Sequence, residues 1–168
     1  MADRLKTLEE LESNEAIRRL KHVYLSYLDQ NYAPDKLAPL FTEDAVWTSK
    51  EFGHFEGRTA IRDFFAGISK VVVFAAHLGL NGIIDVKGDT AKGHWRLLMP
   101  CTMMRDGKAI AHWMLGDYRD TYVRQNDTWL FSRVEYFVNF LVRSTDTWAA
   151  VANIREVTNG AGRMGTMR

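Results

Sequence analysis

Histidine, cysteine, tyrosine and the carboxylates are the side chains with reactive range, and their spacing narrows the chemistry. The five histidines, His22, His54, His77, His94 and His112, are dispersed, with no His-x-His or HExxH spacing. A metal site is therefore not expected. Cys101 is alone, which excludes an internal disulfide and a cysteine-based zinc site. A serine nucleophile elbow is absent, and Gly160-Ala161-Gly162 falls in a tail rather than in a phosphate loop between strand and helix. A histidine near its ordinary pKa of about 6.5 can take a proton at neutral pH. His77 stands just before a predicted strand, Asp29 near the end of a predicted helix, and Tyr24 within that helix's apolar stripe. Taken singly, each has a plainer reading too. His77 reads as a polar surface residue, Asp29 as a helix-end residue about 100° from Leu28 around the axis, and Tyr24 as a core aromatic with a partnered hydroxyl.

The elements that must position these residues change character once along the chain. Ser13 or Asn14 is a plausible N-cap, and Ile17, Leu20, Tyr24, Tyr27 and Leu28 recur at helical spacing, with Arg18, Arg19, His22 and Ser26 on the other side. The helix should end before Pro34. A short helix over 36–41 follows, and Gly57-Arg58-Thr59 opens another with Ile61, Phe64, Phe65 and Ile68 inward. Short strands are predicted over 45–48 and 52–56. After residue 70 the period becomes two: strands over 80–86, 91–104, 109–124 and 129–139, the middle pair joined by the hairpin signal Asp106-Gly107. Helices first and long strands afterwards make an α+β layout, with helices laid on one face of an antiparallel meander. Strands this long twist, and with their covering helices they can enclose a cone-shaped cavity.

Composition fits an apolar site. The 168 residues carry 22 Lys+Arg against 21 Asp+Glu, a net charge of +1, which argues against a nucleic-acid surface. The length favours one domain over 1–168, with a tail over 145–168 that begins partly helical and then loosens. The longest apolar run, Val71 to Ala76, is too short to span a membrane, and the first residues carry no secretory signal, so a cytoplasmic protein is expected. With 12% aromatic residues and 7 Met, the chain either packs densely or lines an apolar pocket.

Four stretches, in order, carry a family resemblance. They are Glu15-Ala16-Ile17-Arg18-Arg19-Leu20-Lys21 with Tyr24, Leu28 and Asp29; Phe41-Thr42-Glu43-Asp44-Ala45-Val46-Trp47-Thr48; His77-Leu78-Gly79; and Tyr118-Arg119-Asp120-Thr121-Tyr122 with Trp129. Over roughly residues 13–142 the sequence resembles the nuclear-transport-factor-2-like, SnoaL-like superfamily. Within it, the chain resembles the cofactor-free lyases scytalone dehydratase, bile-acid 7α-dehydratase and hexachlorocyclohexane dehydrochlorinase. The resemblance implies a cone-shaped α+β barrel, no cofactor, and a homotrimer. It places His77 on the catalytic base, Asp29 on its paired aspartate, Tyr24 on an active-site tyrosine and Trp47 on a cavity aromatic. Met99 stands where the bile-acid enzyme has a further aspartate, and Cys101 where the scytalone enzyme has a second histidine. Tyr24 and Ser132 stand where the dehydrochlorinase has a lysine and an arginine.

Strand alternation, oriented by that correspondence, turns Trp95, Leu97, Met99 and Cys101 inward, and on the next strand His112, Met114, Gly116 and Tyr118. Trp47, Met99, Cys101, His112, Met114, Tyr118 and Tyr136 are thus the expected substrate-binding walls, while Trp113 faces outward as oligomer surface. The expectation is a lyase, dehydratase or dehydrohalogenase-like, acting on a small hydrophobic cyclic compound. The alternatives are an isomerase using the same base, a non-catalytic ligand-binding module, or an accessory β-subunit of an aromatic-ring hydroxylating dioxygenase.

Overall fold

The computed structural model describes residues 7–148. The predicted tail beyond residue 148, with Val151 and Ile154, lies outside the described residues. Helix α1 (Leu8–Asp29) begins earlier than the sequence suggests. Its cap is Thr7, whose hydroxyl accepts the Glu10 N–H while the Thr7 N–H donates to the Glu10 carboxylate, a reciprocal capping box. Ser13 and Asn14, expected as caps, are instead buried within the helix. Beyond α1, Asn31 and Tyr32 both adopt left-handed backbone (φ 57° and 55°), turning the chain sharply before Pro34. Helix α2 (Pro34–Leu37) continues into a 3₁₀ turn (Ala38–Leu40), and α3 (Arg58–Ile68) lies between the short and long strands.

The sheet has seven strands: β1 (Phe41–Ser49), β2 (Gly53–Glu56), β3 (Val72–Ala75), β4 (Leu78–Lys87), β5 (Thr90–Arg105), β6 (Lys108–Gln125) and β7 (Thr128–Arg143). The meander β5-β6-β7 is as predicted. Its turns place Asp106-Gly107 and Asn126-Asp127 at positive φ, as tight hairpins require. Two features of the sheet differ from expectation. Strand β1 pairs with β7 in parallel, so the sheet is mixed rather than antiparallel throughout. The order β2-β1-β7-β6-β5-β3 also leaves two edges, so the cone is an open, covered sheet and not a closed barrel.

One edge of β5 serves two short partners in succession. Strand β4 pairs with its first half, ending at Leu78 opposite Leu98, and β3 pairs with its second half, with Ala75 opposite Cys101. Residues 76 and 77 bridge the step, anchored where the Ala76 N–H donates to the Pro100 carbonyl. His77 is held at that corner.

Helix α1 lies on the concave face with Ile17, Lys21, Tyr24, Leu25 and Leu28 buried, and the inward track of β5, Trp95, Leu97, Met99 and Cys101, meets it. Strand β4 is kinked by Asn81 at φ 52°, with the register shifting between Leu80 and Ile83. There the Trp95 ring lies directly against Gly82, in the space a Cβ would take. Gly82→Ala should destabilise the fold by about 1–3 kcal/mol, because overpacking displaces a buried indole. Urea unfolding measures the loss.

Candidate active site

Asp29 closes α1 and reaches across to the corner between β3 and β4. One carboxylate oxygen, Oδ1, accepts both the His77 backbone N–H at 2.8 Å and the ring Nδ1 hydrogen at 2.7 Å. A carboxylate can only accept, so the proton lies on Nδ1 and the basic lone pair on Nε2. The partners sit in different media. The His77 side chain is 3% exposed, whereas the Asp29 side chain at the rim is 39% exposed. Burial holds the His77 pKa below its usual 6.5; Asp29 opposes that shift, and the Lys21 charge reinforces it. Tyr32 meets the imidazole edge-on at 5.7 Å.

His77 lines a cavity with Tyr24, Tyr32, Trp47, Met99, Met114, Tyr118 and Tyr136, floored by Leu28, Phe65 and Leu97. The void is narrow, about 40 Å³ in volume. The Trp47 Nε1–H donates to the Tyr24 hydroxyl at 3.1 Å, which fixes both rings. Burial pushes the phenols of Tyr24, Tyr32, Tyr118 and Tyr136 above their usual range, so they stay protonated and can donate.

The structure thus gathers Tyr24, His77, Trp47, Met99, Met114, Tyr118 and Tyr136 at one cavity, with Asp29 behind the imidazole. Two expected wall residues stand apart. Cys101 is buried one inward step beyond Met99 and outside the lining; burial raises its thiol pKa to about 11. His112 is only half-buried and donates from Nδ1 to the Ile110 carbonyl of its own strand at 2.9 Å. The buried track of β6 begins at Met114, so His112 lies past its end. Among the described residues no three His, Cys, Asp or Glu side chains gather in a cluster suited to a metal.

Sequence reasoning missed the charges behind the tyrosine wall. Lys21 Nζ lies 2.8 Å from Asp120 Oδ2, and both side chains are wholly buried. That carboxylate also accepts the Tyr122 hydroxyl at 2.8 Å, and Tyr122 in turn accepts the Trp95 Nε1–H at 3.1 Å. Among the described residues the ammonium finds no further oxygen or nitrogen. It rests on aromatic faces instead, 3.4 Å from the Tyr118 centroid and 4.9 Å from that of Tyr24. Burial lowers the Lys21 pKa and raises that of Asp120, each opposed by the other's charge. A signal existed: Lys21 falls three residues before Tyr24, and Asp120 alternates with Tyr118 and Tyr122, so opposite charges occupy two inward tracks. Tyr32 carries no such periodicity; the left-handed turn alone brings it in.

A SnoaL-like domain model matches residues 9–135. The chain belongs to the SnoaL-like family. Similar solved structures include a hexachlorocyclohexane dehydrochlorinase, LinA type 2, 22% identical over 81% of this chain and 91% of that one, with a TM-score of 0.75. A provisionally named scytalone dehydratase from Novosphingobium aromaticivorans is 27% identical over 79% and 87% of the two chains, with a TM-score of 0.70. A provisionally named aromatic ring hydroxylase from the same organism is 24% identical over 81% and 96%, with a TM-score of 0.69. No curated protein matches the sequence. No helix among the described residues is long and apolar enough to cross a membrane.

Two outcomes are expected for this SnoaL-like domain. Unfolding returns His77 to a pKa near 6.5, so the unfolded chain binds more protons in the window just below that value. Stability should therefore fall as pH drops through 6.5, and imidazole NMR should show His77 titrating below an exposed histidine. Lys21→Met leaves the Asp120 carboxylate buried and unpaired, and should cost about 3–5 kcal/mol in urea unfolding. Lys21→Met with Asp120→Leu should recover much of that loss.

Proposed function

We propose that this SnoaL-like domain is a cofactor-independent lyase acting on a small, largely apolar cyclic compound. The observation that carries the reading is the double acceptance by Asp29 Oδ1, which fixes one imidazole tautomer and leaves Nε2 as the base at a dry cavity. Nε2 takes a proton from a substrate carbon. The C–H electron pair becomes the new double bond, and hydroxide or halide leaves the neighbouring carbon with its own bonding pair. Asp29 stabilises the imidazolium as it forms. Tyr24, a protonated phenol positioned by Trp47, donates to the departing group or to a developing enolate oxygen. The likeness to a dehydrochlorinase and a scytalone dehydratase supports this class of reaction. An isomerase would use the same base and retain the leaving group.

The narrow free volume favours one second reading, a non-catalytic binding module or accessory β-subunit, since a void of about 40 Å³ admits a ring only if its walls yield. For assembly we propose a homotrimer in the cytoplasm. The large exposed apolar side chains Val73, Phe74, Leu78, Leu80 and Ile83 on β3 and β4, together with Phe137 on β7, would be covered there, whereas Trp113 is itself half-buried.

Turnover of a panel of hydroxylated and halogenated cyclic compounds, followed by mass loss and halide release, tests the reading. His77→Ala and Asp29→Asn should each lower kcat by about 10²–10⁴-fold on the compound that turns over. Full activity in both variants would sink the mechanism. The rate should also fall on the acid side below pH 6.5, as Nε2 gains its proton.

A further inference from the structure

Four phenols face the cavity, and their hydroxyls are not equivalent. Tyr24 accepts from Trp47, and its ring meets that of Tyr118 edge-on at 6.3 Å. Tyr136 differs: only 4% of the residue is exposed, and its hydroxyl, shut off from solvent, has no hydrogen-bond partner among the described residues. Leaving a buried hydroxyl unpaired is costly, so such a group calls for a partner or a role.

The position is built rather than accidental. Tyr118 packs on the Tyr136 ring at 4.7 Å and Phe52 flanks it at 6.1 Å, which holds the ring in place. On β6, Gly116 lies directly against the hydroxyl end; a Cβ there would stand 2.5 Å from the Tyr136 oxygen. The β6–β7 register shifts at this point, between Leu115 and Gly116. A glycine and a bulge thus clear the slot that the phenol tip occupies. Among the side chains that line the cavity with it, Leu97, Met99 and Met114 carry no oxygen or nitrogen acceptor. Burial keeps Tyr136 protonated, hence a donor.

We infer that Tyr136 is a specificity-determining residue whose hydroxyl donates to an oxygen on the bound ring compound, so that the cavity selects oxygenated cyclic molecules, ketones first, over halogenated hydrocarbons. Carbonyl oxygen is a strong acceptor of a phenol hydrogen and carbon-bound chlorine a poor one, so the unpaired donor favours loss of water over loss of halide. The inference rests on the cavity being the ligand site proposed above; it does not rest on His77 being the base.

The test uses the full chain carrying ¹³C-methyl methionine, because Met99 and Met114 both line the cavity. Their methyl shifts report binding of cyclohexanone and of methylenecyclohexane, which has the same shape without the oxygen. Tyr136→Phe should lower the ketone-to-hydrocarbon affinity ratio about tenfold, the equivalent of one buried hydrogen bond. Gly116→Ala, which pushes the ring from its slot, should lower it likewise. A ratio unaltered in Tyr136→Phe, with both probes still binding, overturns the inference and leaves the pocket standing. If neither probe moves the Met99 and Met114 signals, the cavity reading falls and the inference with it. Tyr136→Phe should unfold at the same temperature or higher, since it removes an unpaired polar group. A fall of several degrees would show that the hydroxyl already has a protein partner, and would overturn the assignment.

Discussion

A lysine ammonium and an aspartate carboxylate, both shut off from water, meet 2.8 Å apart between α1 and the sheet. Removing two charges from water costs several kcal/mol each, and only close approach and added hydrogen bonds offset it. Lys21 and Asp120 therefore tolerate one docking of the helix and penalise its neighbours. Rotation by a single residue would swing Lys21 about 100° away from Asp120. With Lys21 fixed, Tyr24 one turn later faces the cavity, and Asp29 at the helix end reaches the corner where His77 sits. The aromatic faces of Tyr118, Tyr24 and Phe131 take up the ammonium hydrogens that no oxygen receives, which joins the pair to the cavity wall.

The site is a small polar inventory in a dry setting. Asp29 keeps contact with solvent while the His77 side chain is almost wholly enclosed, so a carboxylate at the rim orients a buried imidazole. The corner that carries His77 exists because β5 is long enough to pair with two short strands in turn. Neither short strand continues through the step; of the two residues between them Ala76 still bonds the Pro100 carbonyl, and the His77 N–H turns to Asp29 instead. A side chain at such a break can be aimed by one carboxylate bonding both its ring and its backbone.

Much of this was legible in the sequence. Helical spacing located α1 and α3, the Asp-Gly signal located the central hairpin, and period two sorted β5 and β6 into two faces, of which the family resemblance chose the inward one. Boundaries were less legible. The Thr7 and Glu10 box lies a full turn and more before the apolar stripe begins, so Ser13 and Asn14 looked like the start. Alternation carries the β6 track on to His112, because it gives a face but not the point where its cover ends. Lys21 is not legible alone, because nothing local shows that its charge has a buried partner 99 residues on in Asp120.

The sequence by itself determined which residues share a face, because side-chain direction along a helix or strand depends on local backbone geometry alone. It also held His77, Asp29 and Tyr24, the residues proposed for proton transfer, though not what lies between them. Only the tertiary structure decided that β1 runs parallel to β7, that β3 and β4 share one edge of β5, and that Asp29 meets His77 across 48 residues of chain. Pairing partner, strand direction and open edges arise from contacts between distant segments, and no local period encodes them. The same holds for Tyr136: its type and face are written in β7, but that its hydroxyl is buried without a partner is a property of everything packed around it.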